Sequence, residues 1–412
     1  MCRDRWWSFE AGGHFRVYSV RVPAPTASAR IQAVQAPVIP IIGRMIRETP
    51  GTISLGQGMV WYGPPPEALA RLTAALDAPD THTYREADGI PALVAALGAK
   101  LAAENGIAVA PGSRLMVTAG ANLAFLLAIL AVTDPGDEVI LPSPFYFNHE
   151  MAIVMAGARP VPVPTGARYN LQPDRIRAAI TGRTRAIVTV SPNNPSGAVY
   201  PEADLHEVNA ICRDHRLYHL ADEVYEHFTY GRERHFSPRS IPGAAAFTFT
   251  FYSFSKDYGL AGWRVGYMVM PAHLHLEVTK AQDTALVCPP VASQLAALGA
   301  LAAGSGWVRD RVAGFATVRE LVLGALGTIP DVVEVPAAAG AFYLLLRVRT
   351  ALDPMTVVER LIREHRVAVV PGSTFGIEDG CSLRVSYGGL EPRSVAEGIG
   401  RLVNGLRVIC RA

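Results

Sequence analysis

The sequence predicts an α/β protein with one large domain and one smaller one. At 412 residues, half of them hydrophobic, the chain exceeds one ordinary domain and can bury a large core. Short runs of aliphatic, β-branched and aromatic residues recur, among them RLMVT at 114–118, AIVTV at 186–190, LYHLAD at 217–222 and FTFTFYS at 247–253, and each reads as a strand. Each run also ends in a residue that turns or carries charge: a glycine, a Pro-Asn turn, an Asp-Glu pair and a lysine. The tips of such strands are where an α/β sheet presents chemistry.

Taken in order, residues 1–25 hold charges, two tryptophans and a Gly-Gly without a period, and read as an extension whose docking would use Trp6 and Trp7. SLGQGMVWYGPPPEAL follows, glycine-rich and closed by three prolines that force an extended chain before a helix from Glu67. After Gly89-Ile90-Pro91, Leu and Ala recur at helical spacing. RLMVTAGANLAFLLAIL reads as strand, glycine turn and helix, which leaves free N–H groups at a helix N-terminus and favours an anion. DEVILPSPFYFNHEMAI is a buried strand followed by the aromatic cluster Phe145, Tyr146 and Phe147. A helical stretch over Leu274–Ala303 is expected to cross between domains, and beyond Gly304 amphipathic helices alternate with short strands such as CSLRVSYG.

Charge and cysteine usage narrow the function. The formal charge is only +2 and the basic residues form no runs, which excludes a nucleic-acid or membrane-surface role and points to small-molecule partners. Five scattered cysteines without C-x-x-C spacing read as reduced thiols of a cytoplasmic protein. The longest apolar run, Leu123–Val132, is ten residues and too short for a bilayer.

The chemistry concentrates in Phe247–Gly266, FTFTFYSFSKDYGLAGWRVG. A strand stops at Ser253, and Lys256 stands where a Gly-punctuated loop begins, with Ser253 and Ser255 before it and Arg264 after it. A lysine works as a covalent amine only where its surroundings hold its pKa at roughly 7–8. Two hydroxyls and a guanidinium nearby suit a phosphate, the arginine forking onto its oxygens. Ser-x-Ser-Lys followed by Gly-x-Arg-x-Gly, here SFSK and GWRVG, resembles the Schiff-base segment of the fold-type I pyridoxal phosphate enzymes, and within them the class I/II aminotransferases.

That resemblance, over roughly residues 30–405, implies a three-layer α/β sandwich with a mostly parallel sheet and a smaller α+β C-terminal domain. Its expected limits are 1–30 for a flexible extension, 31–65 for an N-terminal arm, 66–300 for the large cofactor domain and 301–412 for the small one. It implies pyridoxal 5'-phosphate held covalently by Lys256, with Ser253, Ser255, Arg264 and the Gly120–Ala121 turn on its phosphate. Tyr146 would stack on its ring, with Phe145 or Phe147 as the alternatives. Asp222 in ADEVY would hold the ring nitrogen protonated, while Tyr225 and Asn194 would donate to the ring oxygen. The loop SPNNPSG departs from the family's Asn-Pro-x-Asn-Pro-Thr-Gly at Ser191 and Ser196. Gly58, Asn194 and Arg384 would bind the substrate, Arg384 gripping its α-carboxylate. Tyr84 would reach the partner subunit's phosphate in a homodimer with shared sites. Trp61, Tyr62, Phe147 and His149, the last standing where many relatives have a tyrosine, point to an aromatic-lined pocket, and Glu223 is read as structural.

The implied reaction is amino transfer between an L-amino acid and a 2-oxo acid. β- or γ-elimination, cyclisation or oxidation on the same scaffold is the alternative, because the cofactor sets the hard chemistry and the pocket selects the bond. A nucleotide-binding oxidoreductase is disfavoured, since neither G-x-G-x-x-G nor G-x-x-x-x-G-K-[ST] occurs.

Overall fold

A computed structural model describes residues 25–109 and 112–410, together with the backbone of 5–9 and 15–19. Its centre is a seven-stranded sheet of β4 (Ser113–Thr118), β5 (Glu138–Ser143), β6 (Arg159–Pro164), β7 (Thr184–Val190), β8 (Tyr218–Asp222), β9 (Thr248–Ser253) and β10 (Gly266–Pro271). The spatial order is β4-β10-β9-β8-β7-β5-β6. The pairings β5–β6, β5–β7, β7–β8 and β8–β9 are parallel, and β10 is antiparallel to both neighbours. This is the mostly parallel sandwich the resemblance implies.

Helices cover both faces, which is why every strand except the edge strand β6 is buried almost throughout. On β9 the alternation separates the layers: Phe249 and Phe251 pack with Phe125, Ile129 and Ile153 of two covering helices, whereas Tyr252 joins the core shared with the C-terminal part. On the other face, Ile140 and Ile187 meet Leu205, Val208 and Ile211 of the Glu202–His215 helix.

The smaller sheet contains β11 (Val333–Glu334), β12 (Tyr343–Val348), β14 (Val370–Pro371) and β15 (Cys381–Ser386), all antiparallel, in the order β11-β12-β15-β14. Beside it β3 (Ile53–Ser54) pairs in parallel with β13 (Val367–Ala368). The backbone continues this pairing, Leu55 N–H donating to the Ala368 carbonyl at 2.8 Å and Ser386 N–H to the Leu55 carbonyl at 2.7 Å. The arm is thereby stitched along the small sheet and delivers Gly56–Gly58 between the two sheets.

Two elements differ from the sequence reading. The helical stretch Leu274–Ala303 is broken: His275–Leu286 and Val291–Ala302 are separate helices, with a 120° bend between their axes. Pro289 and Pro290 stop the first helix and Val287 takes φ 65°, so the breaker residues outweigh the apolar composition. Within the N-terminal extension, β1 (Arg5–Phe9) and β2 (Phe15–Ser19) pair antiparallel, where no regular element was expected. Docking through Trp6 and Trp7 lies outside the described side chains. Among the described residues no single helix is long and apolar enough to cross a membrane.

Candidate active site

The parallel strands end along one edge of the large sheet, and the residues just past their ends form a cavity. β8 ends on Asp222, β9 leads through Ser253 into the one-turn helix Phe254–Asp257 that carries Lys256, and β4 leads through Gly120 into the Ala121–Val132 helix. β5 leads to Tyr146 and β7 to Asn194. β10 runs the other way, so its start lies at this same edge: Gly266 is opposite both Ser253 and Thr118. That reversal brings Arg264 to the cavity. Gly58, Ala121, Tyr146, Asn194, Asp222, Tyr225, Ser253, Ser255, Lys256, Arg264 and Arg384 all line one cavity.

Lys256 is partly accessible, and its amine donates to the Gly58 carbonyl. Burial pushes its pKa down to about 8, helped by Arg264 and Arg384 and opposed by Asp222. The turn beneath it is pinned by Ser253 Oγ, which accepts from the Ser255 N–H at 3.0 Å.

Asp222 is 5 % exposed. One carboxylate oxygen accepts from the Val224 N–H at 3.2 Å, and the other lies 3.0 Å from His149 Nε2. His149 therefore does not line the substrate pocket: it sits behind Asp222, stacked on Phe125 with ring centroids 3.9 Å apart. Glu223 points away into a separate network with Tyr252 at 2.8 Å and His235 at 2.9 Å.

Arg384 is 2 % exposed, its guanidinium centre 4.7 Å from the Tyr343 ring centroid and 4.8 Å from that of Phe375. It donates to Asn194 Oδ1 at 2.9 Å and to the Gly56 carbonyl at 2.7 Å, while its Nε has no hydrogen-bond partner. Among the described residues no carboxylate pairs with it, so a buried cation faces the cavity without a counter-ion. Tyr225 and Tyr343 share a hydroxyl hydrogen bond of 2.8 Å across the cavity wall.

The end of the cavity at Arg264 suits a phosphate. Gly120 has φ 87° and ψ 163°, a region open essentially only to glycine, and a Cβ there would lie 2.2 Å from an Arg264 guanidinium nitrogen. A Cβ on Gly266 would lie 2.9 Å from the Ala121 nitrogen. Both glycines keep the helix N-terminus and the guanidinium bare toward the same space, beside two hydroxyls. A lone carboxylate, an amine of lowered pKa and this anion cradle around one cavity fit the nitrogen, the aldehyde and the phosphate of pyridoxal phosphate.

The loop after β7 explains its two departures. Ser191 Oγ accepts from the Tyr200 N–H at 3.0 Å and Ser196 Oγ donates to Asn193 Oδ1 at 2.6 Å, so both serines hold the loop that presents Asn194. Tyr84 is 81 % exposed and does not line the cavity. Trp61 and Tyr62 are also outside it: they line an adjacent groove with Met59–Gly63, and Tyr62 packs on Trp307 and Phe315. Of the three aromatics near residue 146, Tyr146 and Phe147 line the cavity and Phe145 is in the core. Tyr343, Gln57, Asn122 and Ile39 line it without having been expected. The only local signal for Tyr343 was an aromatic opening the strand run AFYLLL.

Comparison with known proteins agrees with this geometry. The family model for aminotransferase class I and II matches residues 50–402. An aromatic aminotransferase of Arabidopsis thaliana is 34 % identical over 388 residues, covering 92 % of this chain and 96 % of that protein. An aspartate aminotransferase of Pyrococcus abyssi is 35 % identical over 340 residues, 81 % of this chain and 87 % of its own length. Among solved structures, a double mutant of Thermus thermophilus aspartate aminotransferase superposes with a TM-score of 0.86 at 30 % identity, covering 93 % of this chain and all of that one. An aromatic aminotransferase from Pyrococcus horikoshii gives 0.83 at 33 % identity, covering 89 % and 99 %. The chain belongs to the class I and II aminotransferases and is a pyridoxal phosphate-dependent enzyme that moves amino groups between amino acids and 2-oxo acids.

Proposed function

We propose that the cavity holds pyridoxal phosphate between Lys256 and Asp222 and that its free side admits an aromatic or other apolar amino acid. The observation that carries this reading is the meeting, in one cavity, of a lysine with a lowered pKa and a buried arginine without a counter-ion. When bound, the cofactor supplies an electron sink for the bonds of the substrate's α-carbon.

Each residue then has a defined role. Lys256 Nζ would hold the cofactor and, once free, would carry the proton between the substrate's α-carbon and the cofactor's C4′ carbon. A pKa near 8 leaves a usable fraction of the amine unprotonated at neutral pH. Asp222, oriented by His149, keeps the ring nitrogen protonated, and Tyr225 and Asn194 donate to the ring oxygen. Tyr146, which lines the cavity, would supply an aromatic face for the ring. Arg264, Ser253, Ser255 and the Gly120–Ala121 turn hold the phosphate. Arg384 forks onto the α-carboxylate, with the Gly58 backbone beside it. Tyr84 serves the partner's phosphate in a cytoplasmic homodimer whose sites lie at the interface, a role its exposure supports. Residues 66–300 form the cofactor domain and 301–412 the small domain.

The substrate preference follows from charge. Among the described residues, Lys256, Arg264 and Arg384 are the cations lining the cavity, and each is committed, whereas Ile39 and Phe147 offer apolar surface. Stopped-flow half-reactions with phenylalanine and with aspartate test this. Phenylalanine should react with at least a tenfold higher kcat/KM, as about 1.4 kcal/mol of apolar contact would supply. A preference for aspartate would mean that a further cation reads the side chain.

A further inference from the structure

Two segments carry the cofactor-facing chemistry, and each is followed at once by charge that does not line the cavity: Glu226 and His227 after Tyr225, and Asp257 after Lys256. Those three side chains converge, with their polar atoms within 4.8 Å of one another. His227 Nδ1 lies 3.0 Å from the Asp257 carboxylate and its Nε2 lies 3.3 Å from Glu104. Glu226 is already matched, taking Lys100 at 2.5 Å and the Asn105 amide at 2.6 Å, so the cluster needs no metal ion to balance it. On the arm side, the Tyr62 hydroxyl donates to the backbone carbonyls of Lys256 at 2.7 Å and Asp257 at 3.3 Å.

We propose that the His227–Asp257 pair is a positioning device for Lys256, tying the segment that carries Asp222 and Tyr225 to the one-turn helix that carries the lysine. His227 and Asp257 reach neither substrate nor cofactor and act through the depth at which the amine stands in the cavity. Strands β8 and β9 are neighbours, but their ladder ends at Asp222 opposite Phe251, so the loops beyond need a separate tie. Burial would lower the His227 pKa, yet Asp257, Glu226 and Glu104 together raise it to about 10, which keeps the imidazole cationic at neutral pH. The charged and titratable groups around the pair are Lys100 and Glu104 of the Pro91–Glu104 helix, Glu226, and the hydroxyls of Tyr62, Tyr258 and Tyr267.

The proposal rests on Lys256 being the cofactor-carrying amine, and borohydride reduction of the loaded wild-type protein checks that separately by tagging Lys256 or another residue. The pair itself is tested on the full chain without cofactor, by competitive acetylation across pH 6–11 with peptide mass spectrometry of Lys256. In wild type the midpoint should lie near 8. In both His227→Gln and Asp257→Asn it should rise by roughly one unit as the turn loosens and water reaches the amine, and His227→Lys should restore it. Loss of charge alone would raise the midpoint in His227→Gln and lower it in Asp257→Asn, so shifts in the same direction report lost position. Asp137→Asn, which breaks a contact with Arg185 at 3.0 Å at the far end of β5, controls for lowered stability and should leave the midpoint unchanged. Unchanged or opposite shifts in the two variants would overturn the proposal, and if Asp257→Asn does not fold, His227→Gln against His227→Lys decides it.

Discussion

Lys256→Ala should lose amino transfer by about 10⁴-fold or more, the upper range for removing one positioned acid-base group, and should also lose the near-visible absorbance of the loaded protein. Two consequences are joined because one nitrogen has two tasks. On the proposed reading it anchors the cofactor and is the proton carrier nearest the substrate's α-carbon. Within the cavity lining the other cations are Arg264 and Arg384, and guanidinium groups do not give up protons in this range. Asp222 is the only lining carboxylate among the described residues, and the proposed reading commits it to the ring nitrogen. Cofactor retained without colour would still fit, since the phosphate cradle is untouched. A coloured, active Lys256→Ala protein would remove the residue from the mechanism.

Arg384→Ala should weaken amino-acid binding by about 2–5 kcal/mol, the scale for truncating one partner of a buried charge pair, while cofactor retention stays as in wild type. The side chain is walled by Tyr343 and Phe375 and tied to Asn194 and the Gly56 carbonyl, so its position is fixed before substrate arrives. Burial lowers its pKa, but from a starting value that leaves it charged. Arg384→Lys should recover little, because an ammonium cannot fork onto a carboxylate in that slot. Substrate titrations of the loaded variants measure both effects, with thermal unfolding to separate the loss of the Gly56 contact. Unchanged affinity in Arg384→Ala would mean that another cation holds the carboxylate.

The residues legible in the sequence are those whose chemistry lies next to a strand end. Asp222 and Lys256 each stand at or just past a strand-like run, and Gly120 sits in a strand-turn-helix pattern, so local periodicity placed them near strand ends, while their roles followed from the family resemblance. What was not legible depends on contacts between distant segments. His149 is 73 positions from Asp222, and nothing in FNHEM says that its ring stacks on Phe125 behind that carboxylate. Tyr343 enters the cavity because β12 pairs with β15, which also carries Arg384. The direction of β10 is set by its two antiparallel neighbours, although Arg264 depends on it. The break at Pro289-Pro290 was visible and was outweighed, wrongly, by the helix-forming composition on both sides.

The most direct test is a crystal structure of the protein grown with pyridoxal phosphate. The account predicts Lys256 Nζ covalently joined to the cofactor's aldehyde carbon, the Asp222 carboxylate about 2.7–2.9 Å from the ring nitrogen, and the phosphate against Arg264 and the N-terminus of the Ala121–Val132 helix. A cofactor attached to another lysine, or a ring nitrogen turned away from Asp222, would contradict it.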